Sequence, residues 1–251
     1  MPRRRRLSWG VLSALLALAM VGVAPVSAAR PNPSRTIQFS GGTWLVKQSA
    51  GKTGPGPCQF SNSLSSVWVD IDGRLHLRIN GSGRKWTCAE VILQQSLGYG
   101  SYRFHIDSRV DTLDPNVVLG LFTWNDDPAY AHREIDGEFA KWGNPADPTN
   151  AQYVVQPWDA TGHQVRWTQP AVEQSILGFD WQPTRVDFRT VAGTDWATGS
   201  PISTWSFTDA SAVPVAGGEN PRINLWLFQG AAPMNGQPVE VIISRFEHVA
   251  P

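Results

Sequence analysis

The sequence predicts an all-β fold, an antiparallel sandwich, for most of the 251 residues. Short segments in which apolar and polar residues alternate recur along the chain, as expected for strands with one buried face. The 23 glycines and 19 prolines separate these segments, and beyond residue 29 no segment keeps a helical period for three turns. Neither an internal repeat nor a long linker divides the chain, so residues 30–251 are expected to form a single domain.

The predicted strands begin with a hairpin. Residues 67–71 (VWVDI) and 74–79 (RLHLRI) alternate on either side of a turn that requires a positive φ at Gly73. Three further segments alternate in the same way and are predicted to be strands: 102–106 (YRFHI), 185–189 (RVDFR) and 239–243 (VEVII).

Residues 1–29 have the features of a secretory signal peptide. Residues 3–6 are all arginine, residues 11–23 are mostly apolar but too short to span a membrane, and residues 26–29 (VSAA) supply a small-residue cleavage site. An uncleaved N-terminal anchor and the twin-arginine export route are the alternatives. We therefore expect a secreted protein, extracellular or periplasmic, with no membrane attachment after cleavage.

Charge and cysteine content narrow the classes of partner. The chain has 21 basic and 21 acidic residues, and loss of the signal would remove four arginines and no acids, leaving a net charge of about −4. A nucleic-acid partner is disfavoured, because no basic stripe is present. Export favours a disulfide between the two cysteines, Cys58 and Cys88, over free thiols or a metal site.

Three acidic residues occupy alternate positions in the segment 132–139 (HREIDGEF). In a strand, the carboxyl groups of Glu134, Asp136 and Glu138 would emerge on the same face. Such crowding suits a site that needs a proton donor beside a permanent anion. The alternative is an exposed edge strand whose acids face water.

The twelve tryptophans exceed the needs of one core. Four lie in strand-like contexts and are expected to be structural: Trp44, Trp68, Trp181 and Trp205. Between residues 124 and 158 tryptophan is interleaved with Asn, Gln and Asp. Flat rings beside planar polar groups suit the binding of sugars.

Several segments resemble glycoside hydrolase family 16, the group that includes bacterial lichenases and laminarinases. The acidic segment resembles the Glu-x-Asp-x-Glu motif of that family. Other matches follow in the family's order over about residues 40–248: 72–77 (DGRLHL), 88–90 (CAE), 98–104 (GYGSYRF), 179–183 (FDWQP) and 223–226 (INLW). The resemblance implies a jelly roll of two curved antiparallel sheets, concanavalin A-like, with a cleft on the concave face. Lichenases carry a disulfide at nearly the positions of Cys58 and Cys88, so the two cysteines also fit the resemblance.

The resemblance further implies an endo-acting hydrolase that cleaves β-1,3 or mixed β-1,3/1,4 glucan with retention. Glu134 would be the nucleophile and Glu138 the general acid and base, while Asp136 would hold their pKa values apart. Residues 134 and 138 lie ~13 Å apart along a straight strand, so spacing alone does not separate the retaining from the inverting mechanism.

Seven residues are predicted to contact substrate. The resemblance places Trp124, Glu90, Asn224 and Trp226 in the cleft. Strand parity adds Gln152 and Gln156, which share one face, and His132, which shares the face of Glu134; a lone histidine is as often structural. Two further tryptophans, Trp142 and Trp158, could equally well pack at the rim.

Two positions depart from the family pattern. Gly137 stands where a bulky apolar residue is usual, which leaves space beneath the acids for a neighbouring large side chain. Ile92 stands where lichenases carry an arginine, and this leaves the identity of the substrate open. The absence of an extra residue between Asp136 and Glu138 is closer to the lichenase geometry than to the bulged laminarinase one.

Three other functions remain open at this stage: a transglycosylase acting on the same glycans, a non-catalytic carbohydrate-binding β-sandwich and a structural surface protein. The expected partner is a polysaccharide, and the expected oligomeric state is a monomer. No cofactor is expected to be required and no catalytic metal is predicted. A structural calcium ion would fit the resembled family, although the sequence has no contiguous oxygen-ligand motif.

Overall fold

The structure is a computed structural model that describes residues 34–251, so the predicted signal peptide lies outside the described residues. The described part forms one unit, Ser34–Pro251, and its regular structure is β-strand with three short 3₁₀ turns, Val110–Thr112, Ala131–Arg133 and Phe228–Gly230. The strands are β1 Arg35–Phe39, β2 Gly42–Val46, β3 Gln59–Phe60, β4 Val67–Val69, β5 Leu75–Ser82, β6 Lys85–Leu93, β7 Gly100–Ile106, β8 Val117–Trp124, β9 Ile135–Phe139, β10 Ala151–Val155, β11 Gln164–Trp167, β12 Ser175–Gln182, β13 Arg185–Ala192, β14 Ser200–Phe207, β15 Asn220–Leu227 and β16 Val239–Val249.

The strands form two layers joined by one hairpin. The first layer has the order β11-β10-β9-β8-β15-β6, and β2 pairs with the outer side of β6. The second layer has the order β5-β16-β7-β12-β13-β14, with β4 beside β5. The hairpin pairs the end of β5 with the start of β6, Asn80 opposite Thr87. Every pairing is antiparallel except that of the two-residue strand β3 with β6, which confirms the predicted antiparallel jelly-roll sandwich.

The core lies between the layers and is rich in aromatic rings. Tyr153 of β10 stacks on Phe188 of β13 with ring centroids 4.9 Å apart. Trp44 of β2 meets Phe246 of β16 edge to face at 5.4 Å. Such pairs stabilise a sandwich beyond the area that they bury. Trp44 and Trp181 are completely buried, which confirms their structural role, whereas Trp68 and Trp205 are only half-buried.

The predicted local features are present. The hairpin between β4 and β5 turns at Gly73, whose φ is +79°, and the segments 102–106, 185–189 and 239–243 lie within β7, β13 and β16. Cys58 and Cys88 form the predicted disulfide, with Cα atoms 6.1 Å apart. Residues 34–251 include no helix that is both long and apolar enough to cross a membrane.

Candidate active site

The acidic segment lies at the centre of the first layer. Strand β9 pairs with β8 on one side and β10 on the other, so that Glu138 faces Gly120 and Gln152. The alternative of an exposed edge strand is therefore wrong. Ile135 and Phe139 are completely buried in the core, and strand alternation turns the acids to the opposite face.

Gly137 also faces the core, and a leucine of the opposite layer fills the space beneath it. A Cβ added at Gly137 would lie 2.7 Å from Leu177 Cδ1 and closer still to Cδ2. Leu177 belongs to β12 and is completely buried. The expected neighbouring side chain is therefore Leu177, and its methyl groups occupy the place that a side chain on β9 would take.

The three acids open into a cleft of about 920 Å³. Its floor crosses the layer from β6 to β11, which at the usual strand spacing is ~24 Å. Six of the seven predicted substrate contacts line it, along with both tryptophans whose placement was left open: Glu90, Trp124, Gln152, Gln156, Asn224, Trp226, Trp142 and Trp158. A cleft of this length and lining can hold several units of a polymer chain.

Burial sets the protonation of the acids. Burial first, and the charge of Asp136 second, raise the pKa of Glu138 to about 8. The pKa values of the tightly coupled pair Glu134 and Asp136 are also raised, chiefly by burial and then by neighbouring carboxylates. A hydrogen bond between these two lowers the pKa of Glu134 and raises that of Asp136, so Asp136 acts as the protonated donor. Within this pair the hydrogen bond therefore favours the anion on Glu134 over the anion on Asp136, while burial raises the pKa of both above the ordinary value.

Two glutamines, Gln152 in β10 and Gln156 directly after it, hold two of these acids. Gln152 donates from Nε2 to Glu138 Oε2 at 2.7 Å, and Gln156 donates from Nε2 to Asp136 Oδ2 at 3.0 Å. Sequence parity placed both glutamines in the cleft, and both line it. Their amide donors, however, are directed at the carboxyl groups.

On the opposite side of the acids, the cleft contains buried polar atoms that make no hydrogen bond within the part of the chain that the structure describes. Glu90 and Asn224 are register neighbours on β6 and β15, and both are almost completely buried. Glu90 Oε1, Asn224 Oδ1 and Arg222 Nε have no hydrogen-bond partner. Buried polar atoms are rarely left unsatisfied, so this side of the cleft is prepared for groups that a ligand would bring.

The positive charge on this side comes from two residues that sequence reasoning missed. Lys47 Nζ lies 2.7 Å from Glu90 Oε2, and Arg222 Nη1 lies 3.5 Å from Glu90 Oε1. Arg222 stands opposite Ile92 in the register and so occupies the neighbourhood of the arginine expected at position 92. Its parity with Asn224 could have revealed it, whereas nothing in the sequence signals Lys47.

Comparison with solved structures identifies the architecture. The β-glucanase of Bacillus licheniformis matches with a TM-score of 0.63 at 19% identity, over 88% of this chain and 100% of that one. A β-1,3-glucanase of Mycobacterium marinum matches with a TM-score of 0.59 at 18% identity, over 81% and 90%. The chain has the β-glucanase fold. A pseudo β-1,3-glucanase of Mycobacterium tuberculosis matches as well, with a TM-score of 0.57 at 21% identity over 82% and 91%. No family model and no curated protein matches the sequence.

Within this β-glucanase fold, the aromatic walls differ in exposure. Trp226 is almost completely buried and packs against Trp142 with centroids 5.9 Å apart. Trp124 is half-buried, and its Nε1 donates to Asp126 Oδ1 at 3.0 Å. Trp158 is 62% exposed at the rim. The packed rings of Trp226 and Trp142 form part of the floor of the cleft, and the exposed ring of Trp158 lies at its mouth, where a ligand can contact it.

His132 does not line the cleft with the other predicted contacts. The parity argument assumed an extended backbone, but His132 belongs to the 3₁₀ turn Ala131–Arg133 and has φ +65°. Its ring stacks on Trp124 at 4.1 Å, and Nδ1 contacts the Asn125 carbonyl oxygen at 2.9 Å. The assumed strand was therefore wrong, and the stack makes His132 a support for the Trp124 ring.

The described residues contain no group of three or more His, Cys, Asp or Glu side chains arranged to hold a metal ion. The acids are instead paired with glutamine amides and with each other. The site's geometry thus supports proton transfer and nucleophilic chemistry by carboxyl groups.

Proposed function

We propose that this protein is a glycoside hydrolase of family 16 that cleaves β-1,3 or mixed β-1,3/1,4 glucan internally with retention. The observation that carries the proposal is that the buried Asp136 and the half-buried Glu134 and Glu138 lie together at the centre of a long cleft, with the pKa of all three raised. Burial of like charges is costly and is characteristic of sites that perform acid and base chemistry. A module that only binds carbohydrate would gain nothing from bringing these three carboxyl groups together.

In the first step Glu138 is the proton donor, and Glu134, whose pKa the hydrogen bond from Asp136 lowers against the effect of burial, reacts as the carboxylate. With a pKa of about 8, Glu138 is protonated at neutral pH and donates its proton to the glycosidic oxygen as the bond to the leaving sugar breaks. The Glu134 carboxylate attacks the anomeric carbon and forms a glycosyl ester. Asp136 stabilises the attacking anion by donating a hydrogen bond before the ester forms.

The second step reverses these roles. Glu138, now an anion, removes a proton from water, and the resulting hydroxide attacks the anomeric carbon and releases Glu134. Two displacements on one carbon retain its configuration. Capture of the ester by a sugar hydroxyl instead of water would give transglycosylation.

The lining of the cleft supports a neutral sugar polymer as substrate. Among the described residues, Asn224 Oδ1 is a buried acceptor without a hydrogen bond, and Glu90 Oε1 has only the Arg222 guanidinium at 3.5 Å; sugar hydroxyl groups supply donors. Lys47 and Arg222 are paired with Glu90, so their charge is already compensated. The ~24 Å length of the floor suits internal cleavage of a chain. We also propose that the protein acts outside the cytoplasm, on the basis of residues 1–29.

The test is incubation with β-1,3-glucan, mixed β-1,3/1,4-glucan and galactan, with Glu134→Gln as the matched blank. We expect reducing ends to be released from one or both glucans by the wild-type protein and not by the variant. Circular dichroism would establish that the variant is folded. Wild-type turnover by a folded Glu134→Gln protein would exclude the assigned nucleophile. Binding without release by the wild type would favour the carbohydrate-binding module.

A further inference from the structure

The two sides of the cleft differ in how their polar groups are satisfied. Unlike the side that contains Glu90 and Asn224, the β10–β11 side is already bonded to itself. The amide oxygen of Gln152 accepts from Trp142 Nε1 at 3.1 Å, Gln164 Nε2 at 3.2 Å and Arg166 Nη1 at 3.4 Å. Gln152 is 4% exposed, and its amide nitrogen is bonded to Glu138. Little of this side chain remains for a ligand.

The neighbours of Gln152 fix the orientation of its amide. An indole N–H and a guanidinium are donors only, so the atom that faces Trp142 and Arg166 must be the oxygen. The NH₂ group must then face Glu138. Arg166 is itself held by Asp147 Oδ2 at 2.9 Å and by Thr149 Oγ1 at 2.8 Å, so the support extends beyond the cleft.

We propose that Gln152 is a positioning residue for the general acid and base: it holds Glu138 Oε2 so that the other oxygen carries the reacting proton. This inference rests on the proposed function, which gives Glu138 its role. It also changes the role predicted for Gln152 from the sequence, since the residue acts on the substrate through Glu138 and not by direct contact.

The chemistry of the cycle explains the use of an amide donor. Glu138 must be neutral in the first step and an anion in the second. A hydrogen bond donated to a carboxylate stabilises the anion, and the Gln152 amide lowers the pKa of Glu138 against the effect of burial. Without that donor, burial would leave Glu138 a weaker acid and would favour the neutral form when a base is needed.

Gln156, the residue that follows β10, offers a matched comparison. Its Oε1 accepts from the Trp158 backbone N–H at 2.8 Å, so its Nε2 is likewise directed at a carboxyl group, that of Asp136. The two glutamines thus have the same chemistry, and each directs its amide N–H group at a carboxyl group, but they hold different acids. A substitution at each position separates an effect on Glu138 from a general effect on the cleft.

The experiment compares Gln152→Met with Gln156→Met, which remove the donors while nearly preserving side-chain length. The first readout is the dependence of kcat/KM on pH. We expect Gln152→Met to move the basic limb upward by about one pH unit and to lower kcat more than it raises KM. Gln156→Met should not move the basic limb upward, because it removes a donor from Asp136 and leaves the Gln152 bond to Glu138 intact.

The second readout does not depend on turnover. Titration of ¹³C-labelled glutamate carboxyl groups by NMR, with the Glu138 signal assigned from Glu138→Gln, should show the same upward shift of the Glu138 pKa in Gln152→Met. If Gln152→Met does not fold, Gln152→Leu also removes the donor without adding a charge and must give an upward shift.

An unchanged Glu138 pKa and an unchanged basic limb in a folded Gln152 variant would overturn the inference and leave Gln152 with a structural role. Failure of the proposed function looks different, because the wild-type protein would then release no reducing ends from any polymer. In that case the NMR titration alone decides whether Gln152 controls Glu138.

Discussion

Replacement of Gly137 by alanine is expected to destabilise the protein, although the backbone at this position is ordinary. Gly137 is absent from the positions with positive φ, so alanine would adopt the same strand conformation. The added Cβ would lie 2.7 Å from Leu177 Cδ1 and within 3.0 Å of Leu177 Cγ. Because Leu177 is completely buried, it cannot swing into solvent and must repack against the core.

Two opposing effects determine the magnitude. Alanine in the interior of a strand gains ~0.5–1 kcal/mol over glycine through the unfolded state. Forcing an extra carbon into a filled core costs ~1–3 kcal/mol. We therefore expect Gly137→Ala to lower the free energy of unfolding by about 1–2 kcal/mol, and to lower kcat as well, because the displaced strand carries Glu134 and Glu138.

A double-mutant cycle measured by urea denaturation tests this reasoning. Leu177→Ala alone should cost ~2–5 kcal/mol through the cavity that it leaves. In Gly137→Ala/Leu177→Ala the overlap disappears and the new methyl group fills part of the cavity, so the double variant should be more stable than the sum of the single effects by at least ~1 kcal/mol. Gly51→Ala, where nothing lies within 4 Å of an added Cβ, is the control. Additive losses, or a Gly137→Ala protein as stable as the wild type, would refute the packing argument.

Two further predictions concern stability. Because the folded pKa of Glu138 is raised to about 8 from ~4.3 in the unfolded chain, its contribution to stability is complete below the unfolded value and is lost as pH rises through 8. The urea concentration at the unfolding midpoint should therefore decrease as the pH is raised from 5 to 8, and Glu138→Gln should make that decrease smaller. An equally large decrease in the variant would contradict the prediction. Replacement of both Cys58 and Cys88 by alanine opens a loop of 30 residues and should cost ~3–4 kcal/mol, measured in the same way; a loss below ~1 kcal/mol would contradict the loop-entropy estimate.

The sequence contained enough local information to predict the architecture. Alternating polarity and turn residues are local signals, and they predicted the strands and the turn at Gly73. The disulfide was predicted from the expected export of the protein to an oxidising compartment. The structure confirms all three features. The alternating acids predicted a common face. Their position at the centre of the layer depends on which strands flank β9, and strand order is not visible in local periodicity.

The parts that the sequence did not predict depend on contacts between distant segments. Leu177 lies 40 positions from Gly137 and reaches it only because the layers face each other. Lys47 reaches Glu90 across 43 positions. The prediction for His132 was wrong for a local reason. A 3₁₀ turn with positive φ interrupts the extended backbone that an argument from strand alternation requires.

The polar groups on the two sides of the acids differ in how far they are hydrogen-bonded within the protein, and this difference gives the two sides of the cleft different roles. The atoms Glu90 Oε1 and Asn224 Oδ1 accept no hydrogen bond from the described residues, which is costly in the empty protein, and a ligand that supplies donors recovers that cost on binding. The amide of Gln152, with its oxygen saturated by donors, offers no such gain, and in the proposed reaction it stabilises the charge that Glu138 acquires. Binding energy is thus concentrated on the β6–β15 side and stabilisation of the changing charge on the β10 side. Interactions of the second kind raise kcat, because they strengthen as the transition state forms.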